Sequence, residues 1–142
     1  GKTWNMISAA RKLMVREAEA LLASLGLTGQ AGKLGSALSY GDRRRLEVAL
    51  ALACQPELLL LDEPTSGVSL GDKPGMVRLI RAIAREKGVT AVLIEHDMDV
   101  VFSVADWITV MHQGAIIAEG PPKEIQANAR VQEIYLGDDR RA

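Results

Sequence analysis

The chain has 142 residues, 48% of them hydrophobic, enough for one substantial core and suggestive of one domain or a piece of one. Its 17 basic and 18 acidic residues leave a net charge of −1, with Arg43-Arg44-Arg45 the only basic run and 4% aromatic residues, which argues against a nucleic-acid binder or a base-stacking surface. The single cysteine, Cys54, excludes an internal disulfide framework and is expected to be a small buried residue in a reducing compartment. The longest apolar run, 48–54, is too short to span a bilayer, and no signal peptide is read at the start.

In chain order, SAARKLMVREAEALLASL (8–25) places apolar side chains at helical spacing, and Gly26 suits its C-cap. Glycines at 26, 29, 32 and 35 mark 26–37 as loop. Ser39 opens a second helix, near 40–54, which Pro56 ends. Leu58 to Leu61 are too few for a helix and read as a strand buried on both faces. Residues 64–75, with two prolines and three glycines, read as loop, and a third helix, near 76–87, ends at Gly88. VTAVLIEH then reads as a second buried strand, completing a βαβ unit with parallel strands. MDVVFSVA predicts a short helix. WITVMHQGAIIAEG predicts two strands joined near Gln113-Gly114, PPKEIQAN a helix opened by prolines, and RVQEIYLG its helical continuation. The first 57 residues thus look helical and the rest α/β, with a boundary near Pro56.

Two strands end in polar residues, the first in Asp62-Glu63 and the second in Glu95-His96-Asp97. Ligands of open parallel sheets bind beyond the carboxyl ends of the strands. An apolar strand running into two acids suits a nucleoside-triphosphate site: Asp62 would hold Mg²⁺ and Glu63 would orient or deprotonate water, with His96 reaching the γ-phosphate. The other reading of the acids, taken alone, is as merely polar strand ends, and it is the lesser one. Ser39 and Gly41 stand where a helix begins; free N–H groups there bind anions, and Gly41 lets backbone approach a phosphate closely. Taken alone, Ser39 reads first as an ordinary N-cap, the commonest role of such a serine.

Together the three elements resemble the ATP-binding cassette of ABC transporters. LSYGD resembles the signature motif, LLLLDEP the Walker B motif, and the histidine of IEHDM the switch histidine. Ser39 precedes Asp62 by 23 residues, and His96 follows Glu63 by 33. With the terminal EIYLG, the pattern is most similar to ATPases of branched-chain amino acid importers. The resemblance implies a partial P-loop NTPase core of α/β class at 58–142, with parallel strands, helices and a C-terminal hairpin, behind a helical signature subdomain at 1–57. It implies ATP and Mg²⁺ as cofactors, with Asp62 on the metal and Glu63 and His96 catalytic. Leu38, Ser39, Tyr40, Gly41 and Asp42 would meet the partner subunit's nucleotide, and Ser66, Gly67, Val68 and Ser69 would form a dimer-contact loop. The implied partners are a second ATPase subunit, membrane-spanning permease subunits and, indirectly, a periplasmic or extracellular substrate-binding protein. The implied place is cytoplasmic, peripheral at the inner face of the plasma membrane.

The chain departs from the family in places. Tyr40, Gly41 and Asp42 replace the usual Gly-Gly-Gln, as is common in the amino-acid importer branch. Ser69 stands where an aspartate is usual, which puts a direct contact through that residue in doubt, and SLGDKPGM is unusual for the branch. Gly1-Lys2-Thr3 looks like the end of a Walker A motif, but no strand precedes it, so it reads as coincidence; the glutamine loop is likewise not seen. In the family the Walker A strand lies between the strands expected at 90–95 and 107–112. The isolated chain is therefore expected to be inactive, and to close the gap by pairing with a second copy rather than by pairing those two strands directly. Two alternatives stand: an ATPase of another ABC system, such as lipopolysaccharide export or urea import, and an inert interaction module.

Overall fold

The computed structural model describes residues 2–136. Gly1, and the glycine that closes the EIYLG tail, lie outside the described residues. The chain divides into two compact units, Gly1–Glu95 and His96–Ala142.

The first unit opens with helix α1, Lys2–Ser24, longer than expected. Gly26, at φ +71°, ends it: the Leu27 N–H bonds the Leu22 carbonyl at 2.7 Å and the Gly26 N–H bonds Ala23 at 3.0 Å. This doubly bonded exit needs a left-handed residue, which glycine supplies without steric cost. Two short 3-10 turns lead to α2, Tyr40–Ala53, then β1, Leu58–Asp62. Helix α3, Lys73–Lys87, starts earlier than expected because Lys73 and Pro74 occupy its first turn, where proline's missing N–H costs nothing. Strand β2, Thr90–Ile94, follows Gly88 and lies parallel to β1, with Leu58 opposite Thr90 and Asp62 opposite Ile94.

One core serves this unit. It draws Leu25 and Leu27 from the end of α1, Val48, Ala49 and Leu52 from α2, Leu59 from β1, and Met76, Ile80 and Ile83 from α3. The helices cover only one face of the parallel pair. Leu59 is 4% exposed, whereas its neighbour Leu60 is 69% exposed, and Leu58, Val92 and Ile94 are exposed with it. The expected burial on both faces is therefore corrected: side chains alternate across a strand, and the described residues supply a cover for one side only. Cys54 is likewise exposed, not buried. It caps α2 past the last residue that faces the core, with its thiol directed to the Leu50 carbonyl at 3.7 Å.

The second unit contains α4, Met98–Val104, then β3, Ile108–His112, and β4, Ala115–Gly120, paired antiparallel. Gln113 and Gly114 both have positive φ, 49° and 79°, the requirement of the tight two-residue hairpin turn whose twist matches the strands. The register shifts between Val110 and Met111, a β-bulge. Helix α5, Pro122–Ala127, and the short α6, Ala129–Val131, bring Ile125 and Val131 against Ile108 and Val110. The tail does not continue as a plain α-helix: Asn128 caps the amides of Arg130 and Val131, and Gln132–Leu136 forms a wider π-helical turn. Among the described residues β2 bonds only β1, and β3 only β4, so the direct pairing of 90–95 with 107–112 is not present.

Candidate functional site

The first cluster of the first unit gathers at the N-terminus of α2. The Ser39 hydroxyl accepts the Asp42 N–H at 3.1 Å, so the ordinary capping role is realised. Among the described residues the amides of Tyr40 and Gly41 have no acceptor, as expected for a helix's first turn. A cavity of about 300 Å³ opens there, lined by Ser39, Gly41, Asp42, Arg45, Gly67, Val68, Ser69, Asp72 and Met76. Ser39, Gly41 and Asp42 therefore share one surface with Gly67, Val68 and Ser69 of the expected contact loop, although 23 residues of chain lie between Asp42 and Ser66. Asp42 offsets the adjacent cation, Arg45, at 3.6 Å. Leu38 is buried and anchors the entry to the helix.

Tyr40 fixes the loop against the helix. A Cβ at Gly67 would stand 2.6 Å from the Tyr40 Cε1, and Gly67 has φ +72°, so only glycine fits under the ring without displacement. Arg44 donates to the Tyr40 hydroxyl at 3.0 Å and to Glu47 at 2.7 Å. The Glu47 hydrogen bond, and then the Tyr40 one, raise the Arg44 pKa above its ordinary value. Ser69 is spent locally: its hydroxyl donates to Asp72 at 2.6 Å, and its carbonyl accepts the amides of Asp72 and Lys73 ahead of α3.

The second cluster is the tip of the parallel pair. Asp62 and Glu63 are exposed at the carboxyl end of β1. Glu63 is left-handed, φ +44°, and its N–H bonds the Ile94 carbonyl at 2.9 Å. Pro64 and Thr65 are buried beneath it, and Thr65 bonds Glu95, the residue after β2. His96 is exposed at the start of the second unit, and Asp97 caps α4 by accepting the Val100 N–H at 3.3 Å. Sequence reasoning named Glu95 as a strand end and passed over Thr65. The register explains the contact: with Asp62 opposite Ile94, the residues just beyond each strand meet, and that register is not written in any local sequence pattern.

Among the described residues no three His, Cys, Asp or Glu side chains gather as a metal cage. A Mg²⁺ ion is usually held by one or two carboxylates together with substrate phosphates and water. Asp62, exposed at a strand tip, fits such a partial ligand set. The α2 terminus, where the Tyr40 and Gly41 amides have no acceptor among the described residues, fits part of a phosphate site.

Comparison with known proteins agrees with this layout. A family model described as ABC transporter matches residues 2–66, and one described as branched-chain amino acid ATP-binding cassette transporter matches 115–141. The chain is 41% identical over 117 residues to the high-affinity branched-chain amino acid transport ATP-binding protein LivG of Salmonella typhimurium, covering 82% of this chain and 46% of that protein. It is 40% identical over the same length to BraF of Pseudomonas aeruginosa, with the same coverage. The ADP conformation of MJ1267, an ATP-binding cassette of an ABC transporter, superposes with a TM-score of 0.72 at 34% identity, over 87% of this chain and 50% of that one. The chain spans about half the length of the relatives it matches. Over that span the chain is similar to the ATP-binding cassettes of ABC transporters.

Proposed function

We propose that the chain is part of the ATP-binding subunit of an importer for branched-chain or other apolar amino acids. The observation that carries this is the likeness to LivG and BraF, joined by a match to the importer-type model at 115–141. Asp62 would hold Mg²⁺, Glu63 would polarise the attacking water, and His96 would contact the γ-phosphate. When bound, ATP and Mg²⁺ supply the phosphoryl group and the charge that neutralises it. Leu38 to Asp42 would face the nucleotide of a second ATPase subunit, and Ser66 to Ser69 would line the contact between subunits. In this reading residues 1–57 form the helical signature subdomain and 58–142 the C-terminal part of the nucleotide core. Permease subunits would hold the protein at the inner face of the plasma membrane, with a substrate-binding protein outside.

ATP-driven leucine uptake by the parent protein, reconstituted in vesicles with its permease and binding protein, tests the reading. Leucine uptake is the expected result; ATP-driven movement of another solute class and none of leucine overturns it. The isolated chain should neither bind Mg-ATP tightly nor hydrolyse it, because P-loop proteins draw most of their phosphate affinity from backbone amides and a lysine around the phosphates. A micromolar binding constant by calorimetry would contradict that. Signature residues that act across a dimer also predict complementation. Subunits with Ser39→Arg, mixed with subunits lacking a phosphate-loop lysine, should regain activity that neither has alone.

A further inference from the structure

We propose that Glu95 and Thr65 are a positioning pair for Glu63, and that Glu95 acts through hydrogen bonding rather than through its charge. The proposal rests on the reading of Glu63 as the group that polarises water. Glu63 holds a left-handed backbone, φ +44°, which side-chain-bearing residues adopt only when their surroundings impose it. Two cross-links between the strand tips impose it here. The Glu63 N–H bonds the Ile94 carbonyl at 2.9 Å, which continues the ladder one residue past β1. Two residues later the Thr65 N–H and hydroxyl both donate to Glu95 Oε1, at 3.0 and 2.7 Å. The Ser66 N–H closes the turn on the Glu63 carbonyl at 3.0 Å. Glu63 is thus fixed on both sides, by a backbone bond at its own amide and by a side-chain bond just beyond it.

The second link runs through the Glu95 side chain, to the Thr65 amide and hydroxyl. Thr65 is 1% exposed, so its bonds to Glu95 meet little competition from water. Glu95's other oxygen is buried and, among the described residues, makes no hydrogen bond. All the hydrogen bonding of this carboxylate is therefore directed at Thr65. If the link is cut, the turn after Asp62 loses its tie to β2, and Glu63 is free to leave the conformation that aims it. A base displaced by about 1 Å can lose about 10²-fold in rate while its substrate still binds.

The test uses the intact parent ATPase. Glu95→Ala should lower kcat by about 10-fold or more, with KM for ATP unchanged. Thr65→Val, which removes one of the two donors, should lose less. Glu95→Gln keeps the accepting oxygen and should recover most of the lost kcat, although its buried amide nitrogen costs stability. Wild-type kcat in Glu95→Ala overturns the proposal. So does a Glu95→Gln as slow as Glu95→Ala, since charge would then be what matters. Amide exchange gives a readout independent of turnover. The Thr65 amide should exchange slowly in the wild type and about 10-fold or more faster in Glu95→Ala, as for a buried hydrogen bond released. Equal exchange overturns the clamp. A wild-type parent that hydrolyses no ATP would instead remove the proposed function, and the exchange measurement would still judge the clamp.

Discussion

Strands β3 and β4 are joined through Gln113-Gly114 alone, whereas β1 and β2 are joined through a loop, the whole of α3 and Gly88. The hairpin's exposed face is mixed: Thr109 bonds Glu119 at 2.9 Å, and the paired Met111 and Ile116 are exposed beside them. The outer face of the parallel pair carries four exposed apolar side chains, Leu58, Leu60, Val92 and Ile94, with the polar Thr90 and Asp62 at its ends. An antiparallel sheet is commonly written for one wet face, a parallel one for two dry faces. The difference teaches that the parallel pair's sequence is written for a second cover, beyond the single helical layer of its own unit. The parallel arrangement also ends both strands at one edge, which is where the candidate acids stand.

The sharpest way to break that comparison uses adjacent leucines of β1. Leu59→Ala should destabilise the isolated chain by about 3 kcal/mol, the usual scale for a buried leucine. Leu60→Ala in the same chain should stay within about 0.5 kcal/mol, as for an exposed site. In the parent protein, the two substitutions should cost similar amounts if a second layer covers Leu60. Urea denaturation of both forms measures this, and a Leu60→Ala as neutral in the parent as in the chain would remove the second cover. With that face bare and the edge of β2 unpaired, the isolated chain should self-associate. Light scattering should show the association, and Leu60→Lys with Val92→Lys should reduce it. A monomeric wild-type chain would count against the homo-oligomer.

The next effect separates the two strand tips by chemistry. Glu63→Gln in the parent should keep ATP binding and lose about 10²-fold or more in turnover, as for the loss of a general base. Glu119→Gln on the hairpin should leave turnover near wild type, because that carboxylate bonds only Thr109 among the described side chains. Steady-state ATPase assays decide both, and near-normal hydrolysis by Glu63→Gln would take the residue out of its role.

The elements were largely legible in the sequence, because local rules set them. Glycine at 26 and 88, Ser39 before its helix, and Gln113-Gly114 between two apolar runs each act within a few residues. What was not legible depends on parts of the chain far apart. An apolar run states what a strand prefers, not what covers it, so Leu60 looked as buried as Leu59. Cys54 looked buried because its neighbours are apolar, yet it lies past the core-facing turn of α2. Pro74 looked like a loop residue because proline breaks helices from within but also begins them. The Tyr40–Gly67 contact and the Thr65–Glu95 bonds depend on how loop, helix and strand meet, which no local pattern encodes.

A smaller effect sharpens the contrast between the two glycine-dependent turns. Gly67→Ala should cost about 2 kcal/mol, combining its positive φ with a Cβ 2.6 Å from the Tyr40 ring. Adding Tyr40→Ala removes the ring but not the backbone strain. The double variant should therefore lose less than the sum of the two single ones, since residues in contact do not add. Strict additivity in thermal unfolding would mean that the ring and the loop are not in contact in solution.

The smallest expected effect is confined to the hairpin. Gly114 has φ +79° and open space where a Cβ would go. The cost of Gly114→Ala is therefore conformational alone, about 1 kcal/mol. Gln113, at φ +49°, fills a place where asparagine is preferred in such a turn. Gln113→Asn should accordingly gain about 0.5 kcal/mol. Both changes act on a turn whose register is set by two residues, so the urea midpoint should move while the slope stays the same. Neither should change ATP turnover in the parent, because the acids sit on the other strand pair, whose geometry the hairpin turn does not set. A turnover change from either variant, beyond what its stability shift explains, would show that the two strand pairs are coupled in the working protein.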